Sequence, residues 1–316
     1  MAIDISRRIK RAVRSQTRHF SSWILARMKP DSFYDYPKGV TVLWYLSRIG
    51  LFPNLRRPSN FNEQLLSINL HAYGDDKERA VRIRCADKYE VRGYVEERGL
   101  GSILNECYGV YESAEDIDFD KLPMQFVLKL TNGCGQNYIC KDKTCLDYAA
   151  LRIMLKGWIA DSSHFGLKAA EWHYSAIKPR IIAEKYLSSL GENVSLIDYK
   201  FHCLHGKVAG ILVCYDRDPE SHHANLDYYT PDWALTEGIN PRAHVHRRPI
   251  PRPASLDRML RIAEDLSRGI DYVRVDLFEI DNEPVFSEMT FTPAGNIMTN
   301  YKPWLLKELL NKYKED

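Results

Sequence analysis

Two strand patterns near the C-terminus carry charged side chains at positions where a half-buried strand is normally apolar. The patterns cover residues 272–280 and 285–291, and the turn-rich segment 281–284 joins them. This arrangement predicts an antiparallel hairpin. Arg274 and Asp276 are two positions apart, so they share one face of the first strand. Because unpaired charge is costly to bury, the fold must supply both groups with partners.

The second strand of the predicted hairpin carries Glu288 and Thr290 at the same spacing. Pairing Asp276 with Glu288 places Arg274 opposite Thr290, which requires a tight or bulged turn. Two carboxylates on neighbouring strands repel each other unless a cation lies between them, and hard oxygen ligands of this kind favour Mg2+. The sequence therefore predicts a magnesium site on the hairpin. The alternative is a surface hairpin with a cross-strand salt bridge from Arg274.

A lysine and a glycine-bearing loop follow an apolar strand pattern in the middle of the chain. Residues 124–130 form the strand pattern, and Lys129 stands just before the loop residues 131–136. A lysine there can reach a phosphate, and Gly133 and Gly135 let the loop backbone approach its oxygens. The spacing fits neither a P-loop nor a dinucleotide-binding fingerprint, and an ordinary turn is the alternative interpretation.

Length and composition narrow the class of protein. A chain of 316 residues suits two lobes or one large α/β body, and helical and strand patterns alternate from residue 124 onward. The formal net charge of +2 gives no reason to expect nucleic acid as a partner. Seven cysteines form no CxxC pair, and no apolar run suits a signal peptide or a spanning helix. We therefore expect reduced thiols and a cytoplasmic protein.

The first thirty residues are strongly basic and have apolar residues at roughly helical spacing. Such a segment can lie on an anionic membrane surface with its arginines toward the headgroups, at the inner face of the cell membrane. An ordinary solvated helix packed on the body is the alternative. The basic residues are Arg7, Arg8, Lys10, Arg11, Arg14, Arg18, Arg27 and Lys29.

A long polar segment covers residues 219–253 and is rich in proline, histidine and arginine. Arg247 and Arg248 in this segment can bind a carboxylate or an anionic sugar, since guanidinium binds carboxylate through two hydrogen bonds. A solvated basic loop is the alternative. The histidines from 202 to 246 fit no structural zinc spacing, and we expect them to be solvated or hydrogen-bonded.

Several short motifs occur in a defined order along the chain. They are Phe61-Asn62-Glu63, Ala86-Asp87-Lys88-Tyr89, Asp198-Tyr199-Lys200 and Glu288-Met289-Thr290-Phe291-Thr292-Pro293. Together with the strand-ending lysine, the glycine loop and a Glu-x-Tyr-Leu segment, they resemble the TupA-like ATP-grasp family. The resemblance covers roughly residues 50–300 and depends on the number and order of motifs, since each one is short.

The resemblance implies which residues bind ATP, and magnesium with it. Lys88, Lys129 and Lys200 would contact the phosphates, and Gly133 and Gly135 would belong to the loop that covers them. The hinge that reads adenine through its backbone would be Glu184, Lys185, Tyr186 and Leu187. Glu192 would bind the ribose hydroxyls.

The resemblance also assigns the hairpin residues. Asp276, Glu288 and Thr290 would hold Mg2+, Lys200 would approach the terminal phosphates, and Arg274 would stabilise a tetrahedral intermediate. Thr290 stands where many ATP-grasp enzymes have asparagine, and a hydroxyl is a weaker oxygen donor.

The implied fold is of the α/β (α+β) class, with two α+β subdomains that clasp ATP. We predict these subdomains at residues 123–193 and 194–316, after a basic N-terminal segment at 1–29 and a mainly helical accessory or substrate lobe at 30–122. The lobe lacks the alternating strands that the superfamily usually has there.

The implied activity is that of an ATP-dependent carboxylate–amine ligase that works through an acyl phosphate. The family resemblance places it in surface polysaccharide biosynthesis, joining an amine to a uronic-acid-type sugar. A glycosyltransferase and a non-catalytic nucleotide-binding module are the alternatives.

Overall fold

The computed structural model describes residues 2–188, 196–218, 223–241 and 248–315. Helices dominate the first hundred residues of this part of the chain. They are α1 (Ala2–Arg27), α2 (Ser32–Asp35), α3 (Pro37–Ile49), α4 (Phe61–Gly74), α5 (Asp76–Ala86) and α6 (Glu90–Glu97). Farther along lie α7 (Tyr148–Asp161), α8 (Trp172–Ser175), α9 (Leu256–Ser267) and α10 (Pro303–Glu315).

The strands form two antiparallel sheets. The smaller sheet has the order β1-β4-β2-β3 and contains β1 (Cys107–Tyr111), β2 (Phe126–Leu130), β3 (Asn137–Cys140) and β4 (Ile181–Lys185). The larger sheet has the order β10-β9-β5-β6-β7-β8. Its strands are β5 (Asp198–Leu204), β6 (Lys207–Tyr215), β7 (Asn225–Tyr229), β8 (Leu235–Thr236), β9 (Tyr272–Ile280) and β10 (Glu283–Thr290).

The hairpin of β9 and β10 has the register that the charged residues predicted. Asp276 pairs with Glu288 and Arg274 pairs with Thr290. The turn is tight, with only two residues between the strands, and both have positive φ, which is typical of a type I′ turn. A bulge between residues 286 and 288 then sets the register of the charged pairs.

Some local predictions need correction. The region at 30–122 is mainly helical, as predicted, and also contains β1, whose five residues are all half-buried and so show no alternation of apolar and polar positions. The turn of the C-terminal hairpin is shorter than residues 281–284, because Glu283 and Pro284 already belong to β10. Ser255 precedes α9, but its hydroxyl donates to Glu279 and does not cap the helix.

The two faces of the larger sheet differ in character. Odd-numbered positions of β5, β6 and β9 form an apolar core with α9, α5 and α6. Even-numbered positions are apolar at one end, where Leu204 and Tyr272 pack against α4 and α10. The other end of this face carries the charged side chains of the hairpin. Helices α4 and α10 therefore cover half of the face and leave the charged half open to the glycine loop.

Helix α1 packs on α3 through Ser21 and Leu25, which are both buried. The close approach needs Gly50, where an added Cβ would lie 2.5 Å from the Arg14 carbonyl oxygen. The opposite side of α1 leaves Phe20 and Trp23 exposed. Among the described residues, no helix combines the length and apolar character that a membrane crossing requires.

Candidate active site

Three neighbouring strands of the larger sheet present two rows of polar side chains on one face. The register aligns Lys200, Asp276 and Glu288 in the first row and His202, Arg274 and Thr290 in the second. Asp276 is completely buried, and Lys200 is only 8% exposed. The sheet itself thus brings together residues that are 90 positions apart in sequence (200 to 290).

Arg274 connects the two carboxylates of the hairpin. Its Nε donates to Asp276 Oδ1 at 2.7 Å, and its Nη2 donates to Asp276 Oδ2 at 2.6 Å. The same Nη2 also contacts Glu288 Oε1 at 3.3 Å and Thr290 Oγ1 at 3.1 Å. The Thr290 hydroxyl donates to Glu288 Oε1 at 3.1 Å. Arg274 is therefore fixed by four oxygen atoms at the centre of the cluster.

Lys200 forms ion pairs with Asp198 and Asp276. Burial disfavours the charge of Lys200, but these two carboxylates more than compensate and raise its pKa. Burial would raise the pKa of Glu288, but the charges of Lys88, Lys200 and Arg274 lower it to about 2. Burial raises the pKa of Asp276 to about 6, against the opposing charges of Arg274 and Lys200. At neutral pH the cluster therefore contains ionised carboxylates and ionised bases in contact.

His202 completes the second row without adding charge. Its two ring nitrogens contact the hydroxyls of Tyr272 at 2.9 Å and Tyr301 at 2.6 Å. Burial, together with the charges of Arg274 and Lys200, lowers the pKa of His202 to about 3. The imidazole is therefore neutral and hydrogen-bonded through both ring nitrogens.

The glycine loop lies against the cluster and is joined to it by Lys88. The Lys88 ammonium donates to the Gly133 carbonyl at 2.6 Å, and the Lys88 backbone N–H donates to the Thr131 carbonyl at 3.0 Å. An added Cβ at Gly133 would lie 2.8 Å from Gln136 Oε1, and Gly135 has a φ of +96°. Both positions therefore favour glycine.

The segment predicted as a hinge begins inside β4 of the smaller sheet. Glu184 binds Lys129 at 2.7 Å and Arg92 at 3.4 Å. The Lys185 N–H donates to the Glu106 carbonyl at 2.9 Å, and the Lys185 carbonyl accepts from Asn105 Nδ2, also at 2.9 Å. Tyr186 and Leu187 follow the strand.

Comparison with known proteins decides the family. A family model described as "TupA-like ATPgrasp" matches residues 67–310, which is most of the chain. The chain belongs to the TupA-like ATP-grasp family. It has the ATP-grasp fold, as the motifs predicted. A search of curated proteins found no significant match.

Three ligases are among the solved structures that are similar to this chain. D-alanine–D-alanine ligase from Bacillus anthracis is 17% identical, with 73% of this chain and 67% of that chain covered and a TM-score of 0.43. The Helicobacter pylori D-alanine–D-alanine ligase is 13% identical, with 73% and 58% covered and a TM-score of 0.42. L-amino acid ligase from Bacillus licheniformis is 15% identical, with 67% and 44% covered and a TM-score of 0.41. This chain thus spans less than two thirds of the last two proteins.

The donor set of this ATP-grasp protein fits Mg2+. Asp276 and Glu288 face each other across β9 and β10, and the Thr290 hydroxyl lies beside them. In the described ranges no three histidine, cysteine or acidic side chains converge on one point. The protein would therefore offer two carboxylates, and the remaining ligands would be phosphate oxygens and water, as is usual for Mg2+.

Several predicted residues lie elsewhere or outside the described part of the ATP-grasp chain. Arg248 donates to Asp216 at 2.8 and 2.9 Å and lies over the ring of Tyr215. Tyr215 belongs to the α9 side of the sheet, so Arg248 is not brought to the cluster. Glu192 and Arg247 lie outside the described residues.

Glu171, in contrast, lies close to the cluster and had no role in the sequence-based prediction. Its carboxylate accepts from the Thr292 hydroxyl at 2.8 Å. The residue precedes the single-turn helix α8, in a segment without strand or long-helix periodicity. Without such periodicity, the sequence gives no indication that Glu171 lies near the cluster.

Proposed function

We propose that this protein is an ATP-dependent carboxylate–amine ligase that works through an acyl phosphate. The acid would be a uronic-acid-type sugar and the amine an amino acid or a similar small molecule, in surface polysaccharide biosynthesis. One observation carries the proposal: the Arg274–Asp276–Glu288 cluster lies beside a lysine that contacts the glycine loop. Membership of the ATP-grasp family supports ATP as the nucleotide.

The charges around the cluster support binding of a magnesium–nucleotide complex. The carboxylates of Asp198, Asp276 and Glu288 are balanced by Lys88, Lys200 and Arg274. We infer that Lys88, Lys129 and Lys200 contact phosphate oxygens when ATP binds, with Gly133 and Gly135 in the covering loop. Asp276, Glu288 and Thr290 would hold Mg2+, which supplies charge neutralisation at the phosphates.

Adenine and ribose would be bound by the hinge and the segment after it. Tyr186 and Leu187 leave β4 with backbone groups that can pair with the adenine edge, next to Glu184 and Lys185. The Lys185 carbonyl already accepts one hydrogen bond and retains a second lone pair. Glu192 is proposed to bind the ribose hydroxyls.

The substrate carboxylate would attack the terminal phosphorus of ATP, giving an acyl phosphate and ADP. The amine would then attack the acyl carbon, and phosphate would leave. Arg274 is placed to stabilise the oxyanion of the tetrahedral intermediate. Catalysis would thus rest on positioning and electrostatics, without a covalent protein intermediate.

We expect sustained ATP- and Mg2+-dependent ADP release only when a suitable acid and amine are both present, because the acid alone supports only the first step to the acyl phosphate. The assay combines glucuronic, galacturonic and other sugar acids with a panel of amino acids and polyamines, and mass spectrometry identifies the amide. Consumption of a sugar nucleotide without ADP would contradict the proposal and indicate a glycosyltransferase. ATP binding without turnover across the panel would indicate a non-catalytic module.

We further propose that the protein is cytoplasmic and binds the anionic inner face of the membrane through α1. Six basic residues lie between positions 10 and 29 with no acidic residue among them, and all six are exposed. Phe20 and Trp23 are 64% and 52% exposed and stack on each other. Exposed aromatic rings near arginines suit an interface with anionic headgroups. Arg247 is proposed to bind the anionic sugar, and Arg248 could join it only after leaving its ion pair with Asp216.

The double substitution Phe20→Ser and Trp23→Ser should weaken binding to phosphatidylglycerol-containing vesicles by at least about tenfold, since each buried apolar side chain contributes about 1.5–3 kcal/mol. Binding should also fall with added salt, because the headgroup attraction is screened. Vesicle co-sedimentation measures both effects. Ile153→Ser is the matched control, because Ile153 is a 71% exposed residue on α7. Equal vesicle binding by the double variant and the parent would refute the proposal.

A further inference from the structure

Glu171 is held in place by a turn that only glycine can close. Its N–H donates to the Gly166 carbonyl at 2.9 Å. Gly166 has a φ of +73°, and an added Cβ would lie 2.7 Å from the Glu171 carbonyl oxygen. The backbone that carries Glu171 is therefore constrained before any substrate binds.

Both neighbours of Glu171 are anchored to one buried residue of α4. The Asn69 side-chain amide donates to the Ala170 carbonyl, and the Trp172 indole N–H donates to the Asn69 carbonyl at 3.2 Å. Asn69 and Trp172 are almost completely buried. Such support on both sides fixes the direction in which the Glu171 side chain leaves the backbone.

The Glu171 side chain meets the polar face of β10 just beyond the cluster. Thr292 is two residues after Thr290 and four after Glu288, and its hydroxyl donates to Glu171 Oε1 at 2.8 Å. Burial, and then the charges of Glu171 and Glu288, raise the pKa of both Tyr174 and the Cys134 thiol in the glycine loop. Glu171 and Glu288 thus act on the same small volume between the loop and the hairpin.

Among the residues that the structure describes, Glu171 differs from the other acids of this volume in forming no ion pair with a basic side chain. Asp276 and Glu288 each contact Arg274, whereas within the described ranges no lysine, arginine or histidine forms an ion pair with Glu171. Burial raises the pKa of Glu171 to about 7, although the hydrogen bond from Thr292 opposes the shift. The charges of Glu171, Glu288 and Arg274 all act on the Cys134 thiol in the glycine loop and on the Tyr174 hydroxyl in α8, and the charge of Lys88 acts on Cys134 as well. A positively charged ligand group would supply the missing partner.

We propose that Glu171 binds the ammonium group of the amine substrate and accepts its proton before the amine attacks the acyl phosphate. This inference rests on the proposed ligase function and adds the residue that selects and activates the amine. A carboxylate beside the acyl carbon can hold the nitrogen as a cation and release it as a neutral nucleophile.

The protons and electron pairs balance over the step. The Glu171 carboxylate takes one proton from R–NH3+, giving R–NH2 and the neutral acid. The nitrogen lone pair forms the C–N bond, and the C–O bond to phosphate breaks with its electron pair on the phosphate oxygen. The second nitrogen proton leaves with phosphate, and Glu171 then returns its proton to solvent.

Replacement of the ammonium substrate by hydroxylamine provides the test, because hydroxylamine is largely unprotonated at neutral pH and needs no base. We expect Glu171→Gln to lower amide formation from L-lysine, L-alanine or glycine with glucuronic or galacturonic acid by at least about 100-fold. Hydroxamate formation from hydroxylamine should stay within about threefold of the parent. The matched control is Glu279→Gln, a half-buried carboxylate on the opposite face of β9 that accepts from Ser255.

The pH dependence gives a second readout that a structural role would not change. The parent's kcat/KM for the amino acid should fall as the pH drops below about 7, because Glu171 then becomes protonated and cannot accept a proton. In Glu171→Gln this acidic limb should move to lower pH. Equal losses of amide and hydroxamate, or an unchanged pH profile in the variant, would overturn the role of Glu171. If the parent forms neither product from any acid and amine, the ligase function itself fails, and the inference fails with it.

Discussion

Glu288→Gln is expected to lower ligase turnover by about 100- to 1,000-fold while the fold is retained. The substitution keeps the shape of the side chain and its hydrogen bond with Thr290, but it removes a charge that faces Asp276 across the hairpin. If Glu288 is a magnesium ligand, the neutral amide binds the metal–nucleotide complex poorly. ADP release at saturating Mg2+ measures the loss of turnover, and a thermal melt shows whether the fold is retained.

Glu283→Gln is the matched control for this prediction. Glu283 lies on the same strand, is exposed and pairs with Arg258 at the surface. An exposed ion pair contributes at most about 1 kcal/mol, so this variant should have the turnover and stability of the parent. Parental turnover by Glu288→Gln would remove Glu288 from the site and leave the hairpin as a structural salt-bridge network.

Glu288 is a better probe than Asp276 because of the contacts that each makes. Asp276 is completely buried and contacts both Arg274 and Lys200. Asp276→Asn would leave two buried cations with reduced compensation, and breaking a buried pair costs about 3–5 kcal/mol. Loss of activity in that variant would therefore mix unfolding with loss of metal binding.

The register of the hairpin was predictable because side chains alternate along a strand with a fixed period of two. Once Arg274 and Asp276 are assigned to one face of β9, the register can shift only by an even number of residues, because an odd shift would turn Glu288 and Thr290 to the opposite face. A further constraint comes from burial, since the same face cannot hold these charges unpaired. The alternation of side chains and the need to pair buried charges therefore predict the same register, and the structure confirms that register.

Contacts between elements distant in sequence could not be predicted in the same way. Glu171 reaches Thr292 because Gly166, Asn69 and Trp172 fix a short loop, and none of these contacts leaves a periodic signal. For the same reason the pairing of β1 with β4 was missed. The five residues of β1 are all half-buried, so their sequence lacks the alternation of apolar and polar positions that identifies a strand.

The Phe61-Asn62-Glu63 motif, which belongs to the family resemblance, positions other segments of the chain and is not part of the charged cluster. The Asn62 side chain accepts from the Met298 N–H at 3.1 Å. Glu63 accepts from the backbone and hydroxyl of Ser59 at 2.7 and 2.9 Å. This motif of α4 thereby fixes both the start of its own helix and the loop that follows the hairpin. The sequence identifies these residues as a motif but does not indicate that they hold the helix start and the loop in place.

Arg274→Lys should impair the second half of the reaction far more than the first. Lysine keeps a positive charge beside Asp276, so the buried carboxylate retains a partner and the fold should persist. It loses the planar fork in which Nε and Nη2 bind Asp276 and the same Nη2 also reaches Glu288 and Thr290. ATP affinity should change only a few-fold.

Formation of the amide should fall by about 100- to 1,000-fold in Arg274→Lys, because the oxyanion of the tetrahedral intermediate loses its oriented donor. The difference between the two steps is measurable by rapid quench, in which ADP should form in a fast first turnover and product should follow slowly.

Hydroxamate formation should fall in parallel with amide formation, since both nucleophiles pass through the same oxyanion. This parallel loss separates Arg274 from Glu171, whose replacement should spare hydroxylamine. If Arg274→Lys instead slows the first ADP turnover and product formation equally, its role lies in phosphoryl transfer, and the assignment of Arg274 to the tetrahedral intermediate is wrong.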